Sequence, residues 1–295
     1  MDIGIAGLGR MGTAIGLRLI ERGHRLSVWN RSPDKTKPLI AAGAEPAASP
    51  AGLASRAETV ITILTDAAAI DAVYLGPSGL LAGDVASKLF IEMSTVQPKT
   101  EIALAERVRA KGAVFVECPV GGTTGPARQG KLLGLMGAEA ADAARARPLL
   151  EELCRRIEHC GPVGSGAIMK LAINLPLAIS WQAYGEAFAL CRNLGFDPDR
   201  LVDLFADTSG ATTALKGRAP LLAAMLKGEE IGAVTFDLAS AAKDLRAMLA
   251  EGRAAGVDLP VTERALSAYE ESNQASWGAQ DVARQPVYWS RRGKS

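Results

Sequence analysis

The spacing of hydrophobic positions changes near the middle of the chain. In the first half, short runs of apolar and β-branched residues alternate with stretches in which apolar residues recur every three or four positions. Runs of the first kind are typical of buried strands, and stretches of the second kind are typical of helices. Their alternation predicts a parallel sheet with helices on both faces. The predicted strands are 2–6, 25–29, 58–64, 88–93, 113–117 and 131–136, and the predicted helices between them are 13–22, 33–42 and 99–111.

After about residue 165 the pattern is helical only. The predicted helices are 167–194, one that begins at Asp197 and Pro198, 213–227, 236–255 and 261–274. The first of these is apolar around most of its circumference, with Trp181, Tyr184 and Phe188 among its residues, so it must be covered on all sides. This predicts a homodimer or homotetramer that buries part of the helical region. The polar and basic tail, 285–295, is expected to be loosely held.

A glycine-rich turn joins the first predicted strand to the first helix. Its spacing is G-x-G-x-x-G at a strand–helix junction, the context in which this motif binds dinucleotides. The residues of the turn, all predicted to bind the cofactor, are Gly7, Leu8, Gly9, Arg10, Met11 and Gly12. Gly7 allows the tight turn, Gly9 lets the backbone approach a pyrophosphate, and Gly12 lets the helix pack close to the strand. The predicted fold is therefore α/β, with a Rossmann-type dinucleotide-binding domain at 1–162 and an all-α domain at 163–295 that begins with a long linking helix.

The end of the second predicted strand indicates which dinucleotide is preferred. Asn30, Arg31 and Ser32 stand where an NAD enzyme holds its ribose with an acid, and the first carboxylate is Asp34. Arg31 is a planar, permanently charged donor suited to a phosphate, and Ser32 adds a hydroxyl. A 2′-phosphate fits this turn better than a ribose diol, so the three residues are predicted to favour NADP(H) over NAD(H). The alternative is a solvated arginine in a β-turn.

The composition of the chain limits the binding partners and the cellular compartment that the sequence indicates. Lys and Arg total 33 against 32 Asp and Glu, so no nucleic-acid partner is indicated. We expect no membrane segment, because no uncharged apolar run reaches about 18 residues, and no signal peptide, because the chain begins with a core strand. The four cysteines form no C-x-x-C pair, which favours reduced thiols and a cytoplasmic location. The two histidines have no further ligands at metal-binding spacing, so no metal site is expected.

Three clusters carry candidate chemistry for a substrate site. Residues 92–98 lie at the C-terminal end of a predicted strand, where open α/β sheets bind ligands. Residues 117–126 are rich in small residues whose backbone N–H groups can receive a carboxylate, unless they form only a tight turn. In the third cluster, Lys170 and Asn174 share one helix face among apolar neighbours. Poor hydration there lowers the pKa of a lysine and allows proton exchange near neutrality, unless the side chain snorkels to solvent.

These clusters, in this order, resemble the β-hydroxyacid dehydrogenase family, which includes 3-hydroxyisobutyrate dehydrogenases and tartronate semialdehyde reductases. The resemblance extends over nearly the whole chain. The family motif G-L-G-x-M-G matches residues 7–12, D-x-P-V-S-G-G matches 117–123, G-x-G-x-x-x-K-x-x-x-N matches 164–174, and a late K-D pair matches 243–244. The four motifs in register are specific together, although each is weak alone.

The resemblance implies a reductase that interconverts a small β-hydroxy acid and its semialdehyde in a cleft between the two domains. By the same resemblance, Lys170 is the general acid/base and Asn174 helps to fix the substrate. The other implied contacts are Leu64 and Thr65 with the cofactor, Thr95 and Lys243 with the cofactor and the cleft, and Gly121, Gly122 and Thr123 with the substrate carboxylate.

Two departures from the family pattern leave the substrate open. Gly121 replaces the usual serine and Thr123 replaces the second glycine of its pair, so a hydroxyl donor has moved by two positions. Sulfolactaldehyde reductases also lack that serine, which keeps a non-carboxylate anion among the alternatives. Two other functions stay open, an imine reductase-like NADPH-dependent reductase and a non-catalytic NADP-binding interaction module. Imine reductases usually lack the catalytic lysine, so Lys170 argues against the first.

Overall fold

The computed structural model describes residues 1–292, which divide into one compact unit up to Lys170 and a second from Leu171 onward. The predicted domain boundary at 162/163 stays a prediction. The strands of the first unit are β1 (Asp2–Ala6), β2 (Arg25–Trp29), β3 (Glu45–Pro46), β4 (Thr59–Thr62), β5 (Leu89–Glu92), β6 (Val114–Glu117), β7 (Val120–Gly121), β8 (Leu132–Gly137) and β9 (Cys154–Gly161). Its helices are α1 (Arg10–Glu21), α2 (Lys37–Ala41), α3 (Pro50–Arg56), α4 (Ala67–Leu75), α5 (Pro98–Arg109), α6 (Thr124–Arg128) and α7 (Ala140–Leu153).

The strands form one sheet in the order β3-β2-β1-β4-β5-β6-β8-β7, with β9 paired to β8. Pairing is parallel from β3 to β6 and between β8 and β9. The parallel arrangement of the predicted strands β1, β2, β4, β5 and β6 is confirmed, while β3 and β9 were not predicted. The expectation of a wholly parallel sheet is wrong at β8, which pairs antiparallel with β6 and β7. The link from β6 to β8 contains β7, which itself pairs with β8, and the five-residue α6, so it holds no helix long enough for the usual parallel crossover.

Alternate residues of the central strands fill two apolar layers. Ile91 and Val116 face a layer that also holds Leu19 of α1 and Leu150 of α7. Their neighbours Phe90 and Phe115 face the opposite layer, formed with α4 and α5. Since successive side chains of a strand point to opposite faces, a strand covered on both sides reads as a continuous apolar run. This confirms the predicted sheet with helices on both faces.

The second unit is helical, which confirms the predicted fold class. Its helices follow α8 (Ser165–Leu190), which begins in the first unit, and are α9 (Pro198–Ala206), α10 (Thr213–Lys227), α11 (Leu238–Ala254), α12 (Pro260–Ser272) and α13 (Gln285–Arg291). Asp197 caps α9 by accepting the backbone N–H groups of Asp199 and Arg200, with Pro198 in the first turn, as the sequence predicts. In residues 1–292 no helix is both long and apolar enough to cross a membrane.

The aromatic residues of α8 lie in the core of their own unit. Trp181, Tyr184 and Phe188 are 2%, 7% and 2% exposed and pack with residues of α10 and α11. These three aromatic residues therefore need no second chain to cover them, and the predicted oligomer stays a prediction. The large apolar side chains that α8 does expose are Ile168, Met169, Ile173, Leu177 and, at its last residue, Leu190.

The expected loose tail is instead a helix up to Arg291. Gln285 and Val287 are 0% exposed, and the Gln285 amide donates a 2.8 Å hydrogen bond to Gln182 Oε1. Its own oxygen accepts a bond from the Ser272 hydroxyl. The helix left no apolar pattern in the sequence, because some of its buried side chains are amides whose hydrogen-bonding groups pair with one another. Residues 293–295 of the predicted tail lie outside the described residues.

Candidate active site

The glycine turn after β1 has the geometry that its sequence predicts. Gly7 has a φ of +96°, and a Cβ there would lie 2.1 Å from the Ile63 carbonyl oxygen. A Cβ on Gly12 would lie 2.0 Å from the Gly7 carbonyl oxygen, so the chain itself requires both glycines. A Cβ on Gly9 would meet no heavy atom within 4 Å. The backbone at Gly9 therefore faces open space that no side chain fills, which fits the close approach of a pyrophosphate.

Asn30 ties this turn to the end of β2. Its Oδ1 accepts a 2.9 Å hydrogen bond from the Leu8 N–H, and its Nδ2 donates a 3.0 Å bond to the Ser32 carbonyl. Arg31 and Ser32 are exposed beside it. Asn30 thus holds two predicted cofactor segments together, while direct contact of these residues with a cofactor stays a prediction.

The ends of β4 and β5 are joined through a buried carboxyl group. Glu92 is 0% exposed and accepts hydrogen bonds from the backbone N–H and the hydroxyl of Ser94. The Ser94 hydroxyl in turn accepts a 2.7 Å bond from the Leu64 N–H. The predicted cofactor residues Leu64, Thr65 and Thr95 all lie next to this linkage, so the structure brings them to one edge of the sheet.

Glu92 belongs to a group of three buried carboxyls with Glu101 of α5 and Glu117 of β6. Glu101 is 0% exposed. Its pKa lies well above the ordinary value, because burial disfavours its charge and the charge of Glu92 adds to the effect. Burial also raises the pKa of Glu92. Burial and mutual repulsion therefore favour the protonated forms of these carboxyl groups.

Glu117 anchors the start of α8. Its Oε1 accepts backbone N–H groups from Gly164 at 2.8 Å, Gly166 at 2.7 Å and Ala167 at 3.3 Å. Burial raises the pKa of Glu117 to about 7, and the three donors oppose that rise. The side chain thereby fixes the first turn of the helix that carries Lys170.

This anchor explains the second glycine of the G-x-G motif before Lys170. A Cβ on Gly166 would lie 2.3 Å from the Leu135 carbonyl oxygen and 3.0 Å from Glu117 Oε1. A Cβ on Gly137 would lie 2.1 Å from the same oxygen. Both glycines therefore make room for the carboxyl. No role for Glu117 was predicted from the sequence, although an acid at the end of a buried strand was a signal for one.

Lys170 is buried, with 7% of its surface exposed, and Asn174 follows one helical turn later. The expected apolar surroundings are only partly present, because Ile168 and Met169 point away from Lys170 and are 50% and 41% exposed. Ala167 and Leu171, on the inner side of the helix, are buried. The sequence neighbours of Lys170 alone therefore do not account for its burial.

In the second unit, Asp244 contacts two of the predicted site residues. Its Oδ2 accepts a long, 3.5 Å hydrogen bond from the Asn174 amide, and its Oδ1 lies 2.9 Å from Lys243 Nζ. Because a carboxylate only accepts hydrogen bonds, it fixes the Asn174 amide with the nitrogen facing Asp244. Asp244 was noticed in the sequence only as part of the K-D pair.

The substrate loop contains one glycine that the backbone and packing require and one that they do not require. Gly122 has a φ of +127°, and a Cβ there would lie 2.8 Å from a Leu132 methyl group. At Gly121 a Cβ would lie 3.5 Å from Leu133, an ordinary contact, so packing does not exclude the serine typical of the family. Thr123 precedes α6, and its side chain makes no capping hydrogen bond with that helix.

Comparisons with known proteins cover both units. Residues 2–161 match the NAD binding domain of 6-phosphogluconate dehydrogenase, and residues 164–285 match the family described as NAD-binding of NADP-dependent 3-hydroxyisobutyrate dehydrogenase. Glyoxylate/succinic semialdehyde reductase 1 of Arabidopsis thaliana is 32% identical over 283 residues, 96% of each chain. The 3-hydroxyisobutyrate dehydrogenase of Pseudomonas aeruginosa is 34% identical over 276 residues, 93% of each chain.

Among solved structures, Psf3 in complex with NADP⁺ and 2-OPP is 26% identical, with a TM-score of 0.85 over 97% of this chain and 99% of that one. Both the sequence matches and this structure therefore cover the glycine turn as well as the helix of Lys170. The chain belongs to the β-hydroxyacid dehydrogenase family of nicotinamide-dependent oxidoreductases.

Proposed function

We propose that the protein interconverts a small β-hydroxy acid and its semialdehyde, with Lys170 as the general acid/base. The observation that carries this proposal is the buried Lys170 on a helix that Glu117 anchors through three backbone N–H groups, one turn before Asn174. The names of the relatives, a glyoxylate/succinic semialdehyde reductase and a 3-hydroxyisobutyrate dehydrogenase, support the class of substrate.

The proposed cofactor is NADP(H) in preference to NAD(H). The glycine turn fits a pyrophosphate, and Leu64, Thr65, Thr95 and Lys243 are its further proposed contacts. The preference is supported by the exposed Arg31 and Ser32 after β2, where no carboxylate occupies the ribose position. The bound NADP⁺ of the Psf3 structure is consistent with this choice.

When bound, the nicotinamide supplies or accepts the hydride. In reduction, Lys170 Nζ donates a proton to the carbonyl oxygen as it becomes an alkoxide, and in oxidation it takes the proton of the hydroxyl group. Asn174, oriented by Asp244, hydrogen-bonds the same part of the substrate. Backbone N–H groups of Gly121, Gly122 and Thr123 are the proposed partners of its carboxylate.

We assign the protein to a homodimer in the cytoplasm, with a homotetramer as the other state to test. Support for association is the exposed apolar stripe on α8, formed by Ile168, Met169, Ile173 and Leu177. Four free thiols in the described residues fit a reducing compartment. Light scattering of wild type and Ile173→Glu tests the stripe: wild type should give a dimer or tetramer and the variant a smaller particle. A wild-type monomer at micromolar concentration would contradict the assignment.

The test of the function is a substrate panel with both cofactors. Semialdehydes and hydroxy acids of three to five carbons are assayed with NADPH, NADH and their oxidised forms, alongside a cyclic imine. Turnover of at least one hydroxy acid and semialdehyde pair, abolished in Lys170→Met, is the expected result. Turnover of the imine alone, or cofactor binding without turnover of any carbonyl compound, would contradict the proposal.

A further inference from the structure

Two buried carboxyl groups meet behind the edge of the sheet where the cofactor is proposed to bind. Glu92 is the last residue of β5, Glu101 lies in the first turn of α5, and both are 0% exposed. A side-chain hydrogen bond joins their carboxyl groups. Because an ionised carboxylate only accepts hydrogen bonds, this bond forms only when one of the two groups holds a proton.

The donors around the pair decide which of the two carboxyl groups is ionised. Glu92 accepts hydrogen bonds from the backbone N–H of Ser94 at 2.8 Å and from the Ser94 hydroxyl. The Thr62 hydroxyl also donates to Glu92, at 3.4 Å, and itself accepts a 2.8 Å bond from the Tyr74 hydroxyl. Among the described residues, none donates to either oxygen of Glu101. Donors stabilise a negative charge, so the charge lies on Glu92 and the proton on Glu101.

The charge on Glu92 fixes the direction of the Ser94 hydroxyl. Ser94 donates its single hydroxyl proton to Glu92, and its oxygen accepts a 2.7 Å bond from the Leu64 N–H. A protonated Glu92 would present a donor to Ser94 in place of an acceptor, and the hydroxyl would have to turn away. Leu64 and the neighbouring Thr65 and Thr95 are proposed cofactor contacts. The ionisation of Glu92 therefore reaches the cofactor edge through one side chain.

The other ionisable groups that face the pair favour the same arrangement. Burial raises the pKa of Glu101 well above its ordinary value, and the charges of Glu92 and of Glu117 on β6 add to this effect. Burial, with the charge of Glu92, also raises the pKa of Tyr74 on α4 well above its ordinary value. Tyr74 therefore stays a neutral donor, and a second negative charge at Glu101 is disfavoured from every side.

We propose that Glu101 is a positioning residue for the cofactor: its carboxylic acid donates a hydrogen bond to the Glu92 carboxylate, which orients Ser94 and the Leu64 N–H. The inference rests on the proposed function for the cofactor contacts at this edge. Neither carboxyl group touches the cofactor, and both act through Ser94. Helix α5 thereby takes part in cofactor binding although it carries no proposed contact residue.

Infrared spectroscopy locates the proton. The spectra are recorded at pH 8, because burial raises the pKa of Glu117 to about 7 and its own acid band is weak above that value. Wild type should show the C=O band of a protonated carboxylic acid, which should be lost in Glu101→Gln and retained in Glu92→Gln. Identical spectra of wild type and Glu101→Gln in this region, or a band lost only in Glu92→Gln, would overturn the proposal.

Fluorescence titration with NADPH measures the effect on the cofactor site. Glu101→Met keeps a side chain of similar length without the donor and should raise the Kd for NADPH by about tenfold, the scale of one lost hydrogen bond. Glu101→Gln retains an N–H donor and should stay within about twofold of wild type. The matched control is Glu106→Met, at an exposed position of the same helix, which should bind NADPH as wild type does.

The two variants of Glu101 separate positioning from packing. Equal losses of affinity in Glu101→Gln and Glu101→Met, or an unchanged Kd in both, would overturn the proposal. If Glu101→Met does not fold, the infrared comparison of wild type with Glu101→Gln still decides the outcome. The titration needs no substrate, so a failure to find turnover would contradict the proposed function and leave the role of Glu101 intact.

Discussion

Replacing Glu117 by glutamine tests how the helix of Lys170 is held. The Glu117 side chain is 0% exposed, and its Oε1 accepts the N–H groups of Gly164, Gly166 and Ala167. Burial raises its pKa from 4.5 to about 7 against the opposing effect of these donors. The folded protein therefore holds a proton at Glu117 more tightly than the unfolded chain does.

The expected change in unfolding free energy follows from the difference between the pKa of Glu117 in the unfolded chain and in the folded protein. A rise from 4.5 to about 7 corresponds to roughly 3 kcal/mol, at about 1.4 kcal/mol for each pH unit. Because the folded-state pKa is the higher one, this contribution to stability is fully present below pH 4.5 and is lost as the pH rises through about 7. Glutamine cannot ionise, yet its amide oxygen can accept the same three N–H groups.

The assay is urea unfolding of wild type and Glu117→Gln between pH 4 and pH 8. Over this range wild type should lose roughly 3 kcal/mol more of its unfolding free energy than the variant loses. Glu106→Gln, at an exposed position of α5, is the control and should follow wild type. Parallel pH profiles for wild type and Glu117→Gln would refute the reasoning, because the pKa of Glu117 would then be the same in the folded and the unfolded protein.

Three further substitutions address the cofactor, the substrate loop and the second unit. Arg31→Ala should lower kcat/KM with NADPH by about one to two decades and leave NADH nearly unaffected, since a charge-assisted phosphate contact is lost; equal losses with both cofactors would contradict this role. Gly121→Ser should lower KM for carboxylate substrates by about threefold to tenfold, because the serine hydroxyl adds a hydrogen-bond donor. The substitution fits the fold, since a Cβ at Gly121 makes only an ordinary 3.5 Å contact with Leu133. An unchanged KM would count against that carboxylate site. Asp281→Asn should lower the unfolding free energy by about 3–5 kcal/mol in urea titrations, because Asp281 is 1% exposed and is the ion-pair partner of Arg218. A loss below about 1 kcal/mol would show that the ion pair is dispensable for stability.

The fold was predictable where burial leaves a recognisable pattern of apolar residues in the sequence. Strands β1, β4, β5 and β6 are covered on both faces, so each appears in the sequence as a short apolar run. Strand β9 was missed because Arg155, Arg156 and Glu158 are exposed on it and break up any such run. Helix α13 was missed because its buried positions include Gln285, which hydrogen bonds satisfy.

The site was predictable only as far as its parts are local in sequence. The glycine turn and the pair Lys170 and Asn174 are defined by spacings of a few residues. Glu117 meets Gly164 across 47 positions, and Asp244 meets Asn174 across 70. Contacts of that length depend on tertiary packing, so no local pattern indicates them. The supporting carboxyls therefore emerged only from the structure.

The most direct test of the central claim is the rate of carbonyl reduction by Lys170→Met. General acid catalysis contributes about 10²–10⁴-fold, so single-turnover reduction should slow by at least about 100-fold. NADPH affinity, followed by fluorescence titration, should stay unchanged because the proposed cofactor contacts do not include Lys170. Lys170→Arg should not restore the rate, since a guanidinium does not release its proton near neutral pH. If Lys170→Met kept more than about a tenth of the wild-type rate where chemistry is rate-limiting, Lys170 would be a structural residue and the account would be contradicted.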